Sequence, residues 1–230
     1  MSVPLILVAA SGLAREVLAA LAEAPSGFEV RGLLDDAPNL AGTTVGGAPV
    51  LGTVEAAAEH PDARFLVCAG RGASRAAIVD RLAALGIDGD RFATFVHPRA
   101  SVPRTCRIGC GSVLLAGTVL TTDVGVGRHV VVMPNVTLTH DDKVGDFATL
   151  CAGVSLGGHV VVEPYAYLGM SSSVREHTTV GARSVLGMGA VLLSDLPADQ
   201  TWTGVPARPR QRTTPDTTTP DTTTSIGSSS

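Results

Sequence analysis

From Val96 to Leu192 an aliphatic residue recurs at every sixth position: Val96, Val102, Ile108, Leu114, Leu120, Val126, Val132, Leu138, Val144, Leu150, Leu156, Val162, Leu168, Val174, Val180, Leu186 and Leu192. Two places before each stop the residue is mostly small or β-branched, as in Ser112, Thr118, Val124, Val136, Ala148, Val160 and Ala190. A glycine often follows, as at Gly109, Gly127, Gly145, Gly157, Gly169, Gly181 and Gly187. A helix repeats every 3.6 residues and a strand every two, so neither yields a sustained period of six. A parallel β-helix of hexapeptides does. Three hexapeptides make one triangular coil. The array therefore predicts between five and six coils, a prism about 25–30 Å tall at ~4.8 Å per rung. Each coil buries its aliphatic positions on the next.

Ahead of the array the pattern changes to short apolar runs separated by helical stretches. Residues 4–9 predict a buried strand, and Ala10-Ser11-Gly12 a turn into a helix from Leu13 to Ala24. Phe28 to Leu34 predicts a second strand that ends at Asp35-Asp36. Pro38 to Gly52 is punctuated by glycine and proline and is expected to be loop. Val54 to Ala58 suggests a short helix, Arg64 to Ala69 a third strand, Ser74 to Leu85 a helix and Phe92 to Val96 a fourth strand. Strands alternating with helices imply an α/β unit on a parallel sheet. At about 95 residues it is short for a dinucleotide-binding fold, so a truncated Rossmann-like domain over 1–95 is expected. The β-helix then occupies 96–210, with Trp202 to Pro209 closing it. From residue 211 the chain is Thr, Ser, Pro and Asp with almost no apolar residues, a composition that predicts a disordered tail.

Composition sharpens this picture. Hydrophobic residues make up 45% of the 230 and aromatics only 3%, which suits a narrow interior filled by Val, Leu, Ile and Ala. A net charge of −4 gives no electrostatic reason to expect nucleic acid or a polybasic membrane contact. The run Leu5 to Ala10 lacks a positive flank and is short for a signal peptide. No segment reaches the roughly 18 apolar residues of a membrane span. The four cysteines, Cys68, Cys106, Cys110 and Cys151, are expected to be reduced thiols, in keeping with a cytoplasmic protein.

Candidate chemistry gathers in two places. Ligands of an open parallel sheet sit beyond the carboxyl ends of its strands. Ser11 and Gly12, Asp35 and Asp36, and Gly70 converge there: backbone N–H groups at a helix start for a phosphate, and carboxylates for sugar hydroxyls or a base. Plain turn chemistry is the competing reading. In the array, residues eighteen apart lie one above another. Thr122, His140, Gly158 and Glu176 therefore share one column, and Asp123, Asp141, His159 and His177 the next. A histidine beside Asp141 and Asp142 is a candidate general base, since a carboxylate fixes its tautomer. His159 above Asp141 reads as a structural ion pair and His177 as surface. His129 has no nearby carboxylate beyond Asp123, and His97 reads as structural. There is no tight His-x-x-x-His pair, so no metal cofactor is expected.

Several stretches together resemble one family: Ala10-Ser11-Gly12-Leu13-Ala14-Arg15-Glu16-Val17, Gly32-Leu33-Leu34-Asp35-Asp36, Phe92 to Pro98, Thr139-His140-Asp141-Asp142-Lys143-Val144-Gly145-Asp146-Phe147, and Gly204-Val205-Pro206-Ala207. They resemble the hexapeptide-repeat sugar acyltransferases of the sialic-acid O-acetyltransferase and bacillosamine N-acetyltransferase type, along the chain to about Arg210. The resemblance implies a Rossmann-like domain before a left-handed β-helix, a homotrimer, and direct transfer of an acyl group, most simply acetyl from acetyl-CoA, to an amine or hydroxyl of a sugar or nucleotide sugar. It implies His140 as base with Asp141 beside it. It further implies Gly158 as the amide on the thioester oxygen, Gly169, Met170, Gly187 and Met188 along the pantetheine, and Val205 and Pro206 near the adenine. Ser11, Gly12, Asp35, Asp36 and Gly70 would face the acceptor. Leu13 stands where many relatives have a histidine, Ala9 and Ala14 replace glycines, and Thr139 replaces an asparagine. These departures leave open an acceptor that is not a nucleotide sugar, such as a secondary-metabolite intermediate. Two other classes remain: a non-catalytic trimeric nucleotide-binding scaffold, and a zinc-dependent β-helix enzyme of the carbonic anhydrase kind.

Overall fold

The computed structural model describes residues 2–23 and 27–210, and the tail expected from residue 211 lies outside them. The chain opens with strand β1 (Val3–Val8), helix α1 (Gly12–Glu23) and strand β2 (Phe28–Leu34). Strands β3 (Thr44–Val45), β4 (Ala48–Gly52) and β5 (Arg64–Val67) follow, then helix α2 (Gly72–Ala84). The sheet order is β3-β4-β2-β1-β5, all parallel except the β3–β4 pair. Alternate residues of β1 feed opposite faces, as a two-residue period requires. Leu5 and Leu7 pack with Leu13, Val17 and Leu18 of α1, while Ile6 and Val8 pack with Val54, Ala57 and Leu82.

Two expectations need correction. The stretch Pro38 to Gly52 is not all loop, because β3 and β4 form a hairpin within it. Gly46 and Gly47, with φ of 58° and 85°, make the two-residue turn. Both φ values are positive, the condition for a tight hairpin turn that glycine meets at no steric cost. The fourth strand is divided: Phe92 bridges Phe65, but Phe95–Val96 pairs with Val113–Leu114 and belongs to the β-helix. Val54–Glu59 is a 3₁₀ helix.

The hexapeptide array folds as its period requires. Two-residue strands pair in parallel with strands one coil away, for example Gly125 with Lys143, Val131 with Thr149 and Ser155 with Ser173. They form three faces of a prism. From Leu114 to Leu192 every sixth-position aliphatic is buried. The exception lies at the start. Val96 is 37% exposed, and Val102 and Ile108 are half-buried, because the first coil has no neighbour beneath it. At the other end Thr201–Thr203 adds a parallel rung on Val185–Leu186, and Arg208–Pro209 closes it antiparallel.

The α/β unit rests on one face of the prism. The outward residues of that face, Val113, Val131 and Thr149, are 0%, 2% and 4% exposed, whereas Tyr167, one coil further, is 37% exposed. Arg75 of α2 locks the two parts together. Fully buried, its guanidinium donates to the carbonyl oxygens of Ala69, Gly70, His129, Phe147 and Ala148 and to Thr149 Oγ1. Burial pulls its pKa down to about 10, which still leaves it charged at neutral pH. Among the described residues no helix is long and apolar enough to cross a membrane.

Candidate active site

The prism has three corners, each a column of two-residue turns, and each treats its side chains differently. In all three, the second turn residue has positive φ, as at Asp141 (64°) in the first, Phe147 (60°) in the second and Ser171 (55°) in the third. Its N–H donates to the coil below, as in His159 to His140 and His177 to Gly158. These bonds hold the columns in the register read from the sequence.

The first corner carries His140. Its Nδ1 lies 2.9 Å from Asp141 Oδ2, so the carboxylate accepts Nδ1–H and leaves the ring's lone pair on Nε2. The same hydrogen bond is the leading cause that lowers the Asp141 pKa. Gly158 stands directly over the Cε1–Nε2 edge, where a β-carbon would collide with the imidazole. Only glycine brings its backbone this close to the ring. Among the described residues no backbone carbonyl accepts the Gly158 N–H. An exposed ring with a free lone pair thus lies against a buried glycine whose N–H no backbone carbonyl takes, a proton acceptor and an amide donor of the kinds that acyl transfer uses.

Asp142 takes another role than its neighbour. It is fully buried and accepts hydrogen bonds from the N–H groups of Thr139 (2.7 Å) and Val160 (2.9 Å). Burial pushes its pKa up to about 6. Its carboxylate braces the His140 turn from inside the prism and does not orient the ring. His159 reaches Asp141 Oδ2 at 3.5 Å, so the expected pair forms, and His177 stacks on His159 with centroids 4.7 Å apart.

The second corner carries His129 and lies under the α/β unit. His129 is 4% exposed, stacked on Phe147 at 5.1 Å and edge-on to Phe92 at 4.7 Å. Its Nδ1 has no hydrogen-bond partner. Burial, with Arg128 and Arg75 adding to it, pushes its pKa down to about 4. His97 is buried too, its Nδ1 accepting from the Arg99 N–H. Both are structural.

The third corner holds Met170 and Met188, 51% and 72% exposed. Gly169 and Gly187 precede them in the same turns. The Gly204 to Ala207 segment joins them, because Val191 N–H donates to Gly204 O and Ala207 N–H to Val191 O. It leaves Val205 73% exposed and Pro206 exposed beside it. Within one chain a whole prism face separates this apolar strip from His140.

At the sheet edge the acidic pair is already engaged. Asp35 accepts the N–H groups of Ala10 (2.7 Å) and Ala37 (2.9 Å). Asp36 accepts from Val54 N–H and pairs with Arg81, which also holds Glu55. Arg81 draws the Asp36 carboxyl below its usual range. Ser11 Oγ donates to Cys68 O and accepts Ala14 N–H, capping α1, and nothing presses on Gly12. Ala9, with φ of 75°, holds a left-handed conformation that costs about 1 kcal/mol or more in a residue with a β-carbon. Gly70 O is taken by Arg75 and Thr149, and Gly72 sits against Phe147 O with no room for a side chain. Sequence reading passed over Arg75, though its place on the apolar stripe of α2, seven residues before buried Leu82, carried a signal.

No family model matches the chain, and no curated protein does. Among solved structures it is similar to the acetyltransferase domain of PglB from Neisseria gonorrhoeae, at 29% identity over 91% of this chain and 100% of that one, with a TM-score of 0.81. The same domain in complex with acetyl coenzyme A gives a TM-score of 0.82 at the same identity and coverage. A histidine-to-alanine variant of GDP-perosamine N-acetyltransferase from Caulobacter crescentus, in complex with CoA and GDP-perosamine, is 26% identical over 90% of this chain and 97% of that one, with a TM-score of 0.82. In its stacked hexapeptide prism, and over nearly its whole length, the chain is thus similar to acetyltransferases that include a GDP-perosamine N-acetyltransferase.

Proposed function

We propose that the protein transfers an acetyl group from acetyl-CoA directly to the amine of a nucleotide-linked amino sugar. The observation that carries the reading is the first corner: His140 Nδ1–H held by Asp141, with Gly158 against the Cε1–Nε2 edge of the ring. His140 Nε2 takes a proton from the acceptor nitrogen as that nitrogen attacks the thioester carbonyl carbon. The Gly158 N–H donates to the oxyanion. As the intermediate collapses, the C–S bond breaks and the imidazolium returns its proton to the departing thiolate. The name of the Caulobacter neighbour, GDP-perosamine N-acetyltransferase, favours an amine over a hydroxyl.

In this reading residues 1–95 form a Rossmann-like acceptor domain and 96–210 a left-handed β-helix. Acetyl-CoA lies along the third corner of a second copy, over Gly169, Met170, Gly187, Met188, Val205 and Pro206. The exposure of Met170, Met188, Val205 and Pro206 in one chain, a face away from His140, supports a homotrimer in which neighbouring prisms complete each site. Ser11, Gly12, Asp35, Asp36 and Gly70 would frame the acceptor, and four free cysteines suit the cytoplasm. A second reading has one observation in its favour. Asp35 and Asp36 are occupied by internal partners, which suits an acceptor without a base for them to read.

Thermal unfolding with added ligands tests both. Acetyl-CoA at about 100 times its dissociation constant should stabilise the protein by about 2.7 kcal/mol. Guanosine or uridine diphosphate should add a further shift under the first reading and none under the second. No response to acetyl-CoA or to longer acyl-CoAs would remove the enzyme reading.

A further inference from the structure

The first corner carries more ligating groups than acyl transfer uses. His140, Asp141 and His159 each offer one metal-ligating atom, and all three atoms lie within 4.8 Å of one another. Asp141 Oδ2 is central, 2.9 Å from His140 Nδ1 and 3.5 Å from His159 Nε2. All three side chains are about half exposed, so small rotations suffice to close them on an ion at roughly 2.0–2.2 Å. The backbone prepares the cluster: positive φ at Asp141 and His159, with a coil-to-coil hydrogen bond from His159 N to His140 O, projects the groups from one column. The His140 and His159 rings meet edge to face at 5.1 Å, and His177 stacks on the far side of His159. Two imidazoles and a carboxylate, with open positions left for water, form a donor set for a borderline divalent ion and not for Mg²⁺ or Ca²⁺.

We infer that His140, Asp141 and His159 form a site for a divalent transition-metal ion such as Zn²⁺, and that the ion switches acyl transfer off. The inhibition rests on His140 being the base; the binding does not. An ion bound at Nδ1 replaces the proton that Asp141 now accepts. The neutral imidazole then keeps its one remaining proton on Nε2. That nitrogen has no lone pair for the acceptor's proton, and Asp141 is drawn to the metal as well. A bound metal locks the base in the wrong tautomer. The sequence carries the distinguishing feature, His159 eighteen residues after Asp141.

The test is calorimetric titration of the full chain with Zn²⁺, beside acetyl-transfer assays with and without chelator. The parent should bind one equivalent per chain and lose activity in step with occupancy. Chelator should restore activity, and Mg²⁺ should have no effect on either reading. Outer-shell changes alone cost metal sites 10–100-fold, so His159→Ala should weaken Zn²⁺ binding by at least about tenfold and relieve inhibition equally. A Cys106→Ser/Cys110→Ser variant should bind as the parent does. Zn²⁺ binding unchanged in His159→Ala, or lost in the cysteine variant, would overturn the site. Binding that depends on His159 but leaves acetyl transfer intact would keep the site and remove His140 as base.

Discussion

His129 and His140 stand on the same prism, eleven residues apart, each in a two-residue corner turn, and they come to opposite ends. His140 faces solvent, gives Nδ1–H to a carboxylate and lies under a glycine. His129 is clamped between Phe92 and Phe147 beneath the α/β unit, with one nitrogen unpartnered and its pKa pushed down to about 4. The repeat supplies both positions, His140 as the first turn residue and His129 as the second with φ of 53°, and says nothing of which corner is covered. What covers the corner decides: a domain packed over one removes its histidine from proton chemistry, and an open corner leaves the other available.

Beyond His140 itself, the largest expected effect is at Arg75, which ties the covering unit to the covered corner. Arg75→Ala strands several buried carbonyl oxygens, at about 1–3 kcal/mol for each group left unpaired. We expect a loss of roughly 3–5 kcal/mol in denaturant unfolding, with the β-helix transition separating from that of the α/β unit. A single transition with unchanged midpoint would mean that the cover is not held by this residue.

Next is the acid limb. A histidine at 6.5 unfolded and about 4 folded binds its proton more readily in the unfolded chain. Its contribution is therefore complete above pH 6.5 and lost as pH falls through 4, up to about 3 kcal/mol. Asp142 at the open corner has the opposite sign. Raised from 3.8 to about 6, it favours the folded chain fully below pH 3.8, and that advantage disappears as pH rises through 6. Urea unfolding between pH 4 and 7 should show a shallower fall towards acid in His129→Gln and a steeper one in Asp142→Asn.

Gly158→Ala acts on the open corner alone. A β-carbon would strike the His140 ring, while the Gly158 backbone lies outside the left-handed region. We expect roughly 10²-fold lower kcat, the scale of an ångström's misplacement, with Tm within a few degrees of the parent. The smallest effect belongs to Arg128, beside His129 but on the surface. Its pair with Asp146 is exposed, so Arg128→Ala should cost under about 1 kcal/mol, and less still at high salt.

The sequence carried the parts that rest on local repetition. A six-residue period names the buried positions from Leu114 to Leu192, and its eighteen-residue multiple put Gly158 over His140 and His159 over Asp141. What escaped depends on partners far along the chain. Val96 breaks the buried series because an end coil lacks a neighbour. Phe95 leaves the α/β sheet because Val113 offers a better edge. Asp36 is claimed by Arg81 forty-five residues later. Asp142 differs: it stands two places before Val144, a position the repeat itself turns inward. Gly46-Gly47 carries the signature of a two-residue positive-φ turn, but the glycines and prolines crowding Pro38 to Gly52 mask the two short strands beside it.

The most direct measurement is a crossed one: steady-state acetyl transfer and thermal unfolding of His140→Ala and His129→Ala side by side. We expect His140→Ala to lose roughly 10²–10⁴-fold in kcat with its unfolding curve unmoved, and His129→Ala to unfold earlier while its folded fraction turns over like the parent. A His140→Ala enzyme within about tenfold of parental kcat, or a His129→Ala enzyme that is stable but inactive, would contradict the assignment of chemistry to the open corner.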